Sequence, residues 1–212
     1  MKLNSKRTIL VGLAFLSICA FWQMYDSIVP LILTKTFHMN ETFSGAIMAA
    51  DNILALFLLP FFGSVSDKSH TKIGKRMPFI LFGTGCAIIL MNILPLLDNS
   101  YAAQPSGFKT ASFVIVLGLL LVAMGTYRAP AVALMPDVTP KPLRSRANAI
   151  INLMGAVGGI LYLGLAAVLY PASKTKGVEH VSYRPLFFIV SMIMVAAVAI
   201  LYLTIREPKL GE

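Results

Sequence analysis

GSVSDKSHTKIGKRMPFI, residues 63–80, separates two long apolar runs and sets Asp67 beside Lys68, Lys72, Lys75 and Arg76. That many charges cannot enter a hydrocarbon core, where each costs at least about 2.5–3.5 kcal/mol on insertion scales. Gly74 permits a tight bend, and Pro78 suits the first turn of a following helix. The stretch therefore reads as a short charged connection between two spanning helices. Anchoring by positive charge on the inner side accounts for the lysines and Arg76. It does not account for Asp67, for Gly63 and Gly74, or for their order.

Outward from this connection the chain is dominated by apolar residues. Of 212 residues, 57% are hydrophobic and 13% charged, and the mean hydropathy is +0.78. Soluble domains average about 45–50% apolar and about 25% charged. Six apolar segments stand out, at about 8–33, 42–64, 77–97, 111–134, 146–170 and 183–205. Each is long enough to cross a bilayer at roughly 20 residues per span. The expected fold is an all-α membrane protein, a single six-helix transmembrane bundle over residues 1–212 with the lipid bilayer as its surroundings. Soluble enzymes, disordered tails, disulfide scaffolds and collagen-like chains are excluded. The first segment follows Lys2, Lys6 and Arg7 like a signal peptide, and the residues before Cys19 faintly resemble a lipoprotein cleavage site. The apolar run continues to Leu33, too long for a signal core, so it reads as a retained first helix.

The basic residues set the orientation. Lys2, Lys6, Arg7, Lys68, Lys72, Lys75, Arg76, Lys141, Arg144, Arg146, Arg206 and Lys209 fall on one side. Lys35, Lys109, Lys174, Lys176 and Arg184 fall on the other, and Arg128 lies within a helix. This asymmetry places both termini in the cytoplasm. The formal charge of +9 is spread over short breaks, so no nucleic-acid surface is expected. Cys19 and Cys86 sit in apolar runs without metal-type spacing and read as small buried residues. His38, His70 and His180 all fall in connections. With no His/Cys/carboxylate metal set and no Ser–His pairing in the spans, no enzyme activity and no resident cofactor are expected.

Ionisable groups inside spans are functional candidates by default, and there are three: Asp26, Asp51 and Arg128. In the first helix Cys19, Trp22, Gln23, Asp26, Ser27 and Pro30 recur at three- and four-residue spacing and share one face. An aromatic ring, an amide and a carboxylate on one face can stack on a sugar ring and bond its hydroxyls. The alternative is an interfacial belt near the outer surface. Asp51, followed by Asn52, sits near the middle of the second helix without a local partner. Arg128, beside Tyr127, lies in the inner half of the fourth helix. An Asp51–Arg128 pair is within reach, either as a static lock between helices or as a coupling pair opened by protonation of Asp51. In the fifth helix Asn148, Asn152, Gly155, Gly159 and Tyr162 form a narrow stripe. It reads as close helix packing through Gly155 and Gly159, with a polar pathway as the alternative.

The ordered set Gly63, Asp67, Lys68, Gly74, Lys75 and Arg76 resembles the motif that joins helices two and three in the major facilitator superfamily. The common form has its second glycine three residues after the aspartate. Here it comes seven after, with Thr71 and Lys72 inserted, and this longer form resembles the glycoside/sucrose–cation symporter branch. A second stretch, YRAPAVALMPDVTPKPLRSRANAIINLMGAVG at 127–158, is similar to the same branch's passage from helix four into helix five.

The resemblance implies half of a major facilitator fold, lacking the C-terminal six-helix half. It implies a transporter in the cell (plasma) membrane, crossing many times and carrying a sugar or glycoside by alternating access. Gly63, Asp67, Lys68, Lys72, Gly74, Lys75 and Arg76, with Asp137, Arg144 and Arg146, would form a cytoplasmic gate network. Trp22, Gln23, Asp26 and Tyr127 are the substrate-side candidates, with Asp51, Asn52 and Arg128 for cation coupling. Antiporters usually carry a proline in the helix-five glycine motif; its absence here leans toward symport or uniport. Sodium-coupled relatives often pair carboxylates one turn apart in helix two, whereas Asp51 has Asn52 and Ala55 nearby, so a coupling proton is favoured over sodium. Past Arg206 the chain stops where the central loop would begin. A second six-helix half or a second copy is therefore the expected partner. The rival readings are a membrane structural or regulatory subunit that moves no solute, and an inactive truncated fragment.

Overall fold

The computed structural model describes residues 4–69 and 71–205. Lys2, His70, Arg206 and Lys209 lie outside the described residues. All regular structure among the described residues is helical: α1 Ser5–Leu31 running into a π-helical turn Ile32–Thr36, α2 Glu41–Lys68, α3 Met77–Ala103, α4 Gly107–Val138, a 3₁₀ turn Lys141–Leu143, α5 Arg144–Leu169, the one-turn α6 Ala172–Thr175, and α7 Arg184–Thr204. Six of these elements are long and apolar enough to cross a membrane. With six such helices, the start of α1 and the end of α7 fall at the same end of the bundle.

Local signals explain the starts. The Asn4 side chain accepts from the Arg7 amide (3.1 Å), and Asn40 accepts from the Thr42 amide (3.0 Å) with Glu41 in the first turn. Pro78 and Pro185 stand in the first turns of α3 and α7. Several ends run past the expected limits. α2 continues to Lys68, so Gly63, Asp67 and Lys68 belong to its last turns rather than to a loop. α3 runs past its expected limit of 97 through Asp98, Asn99 and Ser100, and α4 extends through Pro136 to Val138. Polar residues and prolines punctuate chains in water. In a spanning helix, neighbouring helices and Ser/Thr side chains supply the bonds that keep the helix intact.

α1 is the central element. More than half of its apolar window is buried (56%), against 6% for α2. It packs on α5, α7 and α4, while α3 packs on α4 and α7 and α2 leans on α4. The closest approach is between α1 and α5. A Cβ added to Gly158 would stand 2.1 Å from the Leu16 carbonyl oxygen, and one on Gly155 would stand 2.9 Å from Cys19 Sγ. One added to Gly159 meets nothing nearer than Gln23 Oε1 at 3.9 Å. Close packing therefore runs through Gly155 and Gly158, not through Gly155 and Gly159, and Asn148 and Asn152, further along the same stripe, lie exposed. Gly83 does for α3 what Gly158 does for α5, meeting the α4 backbone at Tyr127. Cys19 and Cys86 are free and only half-buried, less enclosed than expected.

At the end that carries the termini, one buried guanidinium joins three helices. Arg76, immediately before α3, donates to the Asp67 carboxylate of α2, to Ser66 Oγ, to the Gly63 carbonyl (3.3 Å) and, through Nε, to Asp137 Oδ2 of α4 (3.0 Å). Lys75 Nζ adds a second contact to Asp137 at 3.2 Å. Gly74 has a φ of 115°, and its amide bonds the Thr71 carbonyl (3.1 Å). A side chain at this position would strain the turn that aims Arg76.

Two outcomes follow for folding. Gly158→Ala forces backbone apart from backbone and is expected to destabilise the bundle by at least about 1–3 kcal/mol, whereas Gly159→Ala changes stability little; thermal unfolding of the detergent-solubilised chain compares them. Arg76→Gln is expected to cost about 1.5–3 kcal/mol through the lost charged hydrogen bonds, and protease nicking near residue 70 should rise with it.

Candidate functional site

The same packing that centres α1 opens a cleft along its far side. Trp22 of α1, Asp51 of α2 and Gly125 and Arg128 of α4 converge there with leucines of α2 and α4, around a narrow gap. Gly125 lets α2 come close, since a Cβ there would stand 3.3 Å from Leu58 Cβ.

The charged groups in the cleft are partnered differently from the expected Asp51–Arg128 pair. Asp51 is buried and accepts a hydrogen bond from the Tyr25 hydroxyl of α1. The Arg128 guanidinium lies over the Trp22 ring, 5.6 Å from its centroid. No ion pair joins Asp51 and Arg128 among the described residues. A stacked guanidinium keeps its flat faces on carbon while its N–H groups point outward. Trp22 is braced edge-on by Phe21 and Tyr25, at centroid distances of 5.3 and 5.4 Å. Its Nε1 is buried without a hydrogen-bond partner. The cleft thus combines an aromatic face, the uncommitted N–H donors of a guanidinium and a carboxylate held by a phenol. A ligand rich in oxygen acceptors, with an apolar ring face, matches that set.

The other candidates divide. Asp26 is exposed one turn beyond Trp22, and Gln23 is half-buried toward Gly159 of α5; neither lines the cleft wall itself. Asn52 is exposed on the outer side of α2, away from Asp51, because adjacent helical positions diverge by about 100°. Tyr127 is wholly buried between α4 and α1, its hydroxyl 2.7 Å from Ser17 Oγ. It packs helices together and does not reach the cleft. Tyr25 and Ser17 went unnoticed in the sequence, since a tyrosine or serine within an apolar run carries no charge signal. The position of Tyr25 three residues after Trp22 was the available clue.

In the terminal-end network Asp67, Lys75, Arg76 and Asp137 come together, with Gly63 contributing its carbonyl and Gly74 its turn. Lys68 and Lys72 are exposed beside it. Arg144 was expected in this network with Asp137, but it donates to the Pro136 (2.8 Å) and Thr139 (3.3 Å) carbonyls, capping the end of α4. Arg146 is exposed outside the network. Ser66, bonded to Arg76, is a member that sequence inspection missed.

Comparison with known proteins matches this architecture. The family model of the Major Facilitator Superfamily matches residues 11–212. The chain is 35% identical over 152 residues to sucrose transport protein SUC3 of Arabidopsis thaliana, covering 66% of this chain and 25% of that protein. It is 26% identical to solute carrier family 45 member 3 of Homo sapiens, covering 86% and 34%. It is 25% identical to the alpha-ketoglutarate permease of Escherichia coli, covering 93% and 40%. The chain thus spans about a quarter to two fifths of the length of these relatives. No solved structure matches it. With the match running over nearly the whole chain and six helices long and apolar enough to span a membrane beneath it, this chain belongs to the major facilitator superfamily and is a multi-pass membrane protein similar to sucrose transport proteins over the matched residues.

Proposed function

We propose that the chain is the N-terminal half of a proton-coupled sugar or glycoside symporter that works by alternating access. The observation that carries this reading is the cleft in which Trp22, Arg128 and the Tyr25-bound Asp51 meet. A sugar ring stacks on indole. Its oxygens accept from Arg128, and its hydroxyls donate to Asp26 at the mouth. The sucrose transport proteins among the relatives support the same substrate class.

Asp51 is the coupling candidate. Ionised, it holds the Tyr25 hydroxyl and so ties α2 to α1; protonation removes the charge from that bond and loosens the tie. A proton suits the site better than sodium, since α2 offers no second carboxylate one turn from Asp51 to complete an oxygen cage. Arg128 holds the aromatic wall in place, and the Arg76 network closes the end that the basic residues assign to the cytoplasm. α2 and α5 expose large apolar side chains, among them Phe57, Leu56, Ile160 and Val168. A second half, or a second copy, would cover these faces and the open side of the cleft. The reading places the chain in the cell (plasma) membrane with both termini inside.

The test is uptake of radiolabelled sugars into vesicles under an imposed pH gradient, with the chain alone and with a six-helix second half of a sucrose-type relative supplied. Gradient-driven uptake in either arrangement supports the reading, and its absence in both rejects it in favour of a subunit that moves no solute. Asp51→Asn preserves an oxygen for Tyr25 but cannot cycle a proton. It is expected to reduce the accumulation driven by the gradient about 5- to 150-fold, the ordinary range of coupling between sites, while binding of sugar measured by Trp22 fluorescence persists. Unchanged accumulation would remove Asp51 from the coupling role.

A further inference from the structure

At the end of the bundle opposite the start of α1, Asp98 in α3 has no solvent exposure, and neither of its carboxylate oxygens accepts a close, well-aligned hydrogen bond from the described residues, the Thr36 hydroxyl lying only within looser interaction range. The group facing it is His180, in the connection between α6 and α7, with Nε2 3.7 Å from Asp98 Oδ2. The same Nε2 lies 2.8 Å from Asn99 Oδ1, and Nδ1 lies 3.4 Å from Thr36 Oγ1 at the close of the π-helical turn. Asn99 in turn donates to Ser182 Oγ at 2.9 Å. One imidazole therefore touches α3, the extension of α1 and the approach to α7.

A bare carboxylate enclosed in this way is strongly disfavoured. Two arrangements relieve it: a neutral carboxyl beside a neutral imidazole, or a carboxylate facing an imidazolium. Each holds one proton that the two groups in an unfolded chain give up above about pH 6.5. Both ring nitrogens of His180 face oxygen atoms, as an imidazolium with two N–H donors requires. The remaining ionisable groups nearby do not relieve it. Tyr101 and Tyr183 bring no positive group, and Lys109 is spent on the Ser100 and Gln104 carbonyls, both at 2.8 Å. Lys35, His38, Glu179 and Arg184 are exposed, and among the described residues none of these is ion-paired to Asp98.

We propose that Asp98 and His180 form a proton-binding site, separate from the cleft, whose single shared proton ties the far end of α3 to the π-helical turn after α1 and to the connection before α7. The site stands on its own contacts and holds whether or not the chain moves sugar.

Thermal unfolding of the purified chain in detergent, read against pH, tests it. The folded pair retains a proton that the unfolded chain releases, so its contribution to stability is complete at about pH 6 and is lost as the pH rises. Between about pH 7 and pH 9 the wild-type Tm should fall more steeply than that of Asp98→Asn, which needs no proton. In His180→Gln the proton must sit on Asp98 itself, so the fall should begin at lower pH than in the wild type. A slope in Asp98→Asn equal to that of the wild type would overturn the proposal. On the unaltered chain, infrared and ¹⁵N-histidine spectra at about pH 8 should show one protonated group at this pair. Spectra in which both groups are deprotonated would overturn it whether or not either variant folds.

Discussion

The rest of the bundle depends on how closely α1 can lie against α5. The Leu16 carbonyl rests where a side chain at Gly158 would be, and Cys19 rests on Gly155. Lipid supplies no hydrophobic force between helices, so such backbone-scale contact is what holds them. With one side of α1 pressed into α5 and another against α7, its remaining face, around Trp22 and Asp26, is left partly open. The cleft is therefore a consequence of packing elsewhere: α1 is anchored behind so that Trp22 can stand free in front.

Within the cleft, the charges avoid each other's company and take aromatic partners instead. Asp51 binds a phenol and Arg128 covers an indole. Each pairing leaves its charge less fully compensated than a salt bridge would. Groups held this way respond to a proton or a ligand at lower energetic cost than a closed ion pair, whose rupture leaves two buried charges unmatched. The Arg76 cluster is the contrast. There a nearly enclosed guanidinium takes both Asp67 and Asp137 together with Ser66 and the Gly63 carbonyl, an arrangement suited to holding a conformation.

The fold was legible because spans are written in hydropathy, and the charged connection at 63–80 was legible because its charges have no place in lipid. Asp51 and Arg128 were visible for the same reason, as ionisable groups where none is tolerated without cause. Their partners were not. Nothing in a one-dimensional pattern distinguishes Tyr25, which reaches Asp51, from Tyr127, which is sealed against Ser17. That difference depends on the rotation of α1 and α4 about their axes, set by the glycine contacts. Likewise Gly158 and Gly159 are adjacent, and only the structure shows which of them carries the contact. Helix ends were misplaced where polar residues such as Asp98 and Asn99 continue a helix instead of closing it.

The π-helical turn Ile32–Thr36, just after Pro30, has a mechanical side. A π turn accommodates more residues than the 3.6 of an α turn, so the segment stores surplus chain. Its conversion to α-helix would twist everything beyond it by about 100° per residue released without bending the helix. Leu33 and Phe37 are buried here, and Phe37 is wedged between Tyr101 and Phe113 at centroid distances of 4.4 and 4.7 Å. Any such twist would have to carry Phe37 out from between Tyr101 and Phe113, so the three rings oppose it together.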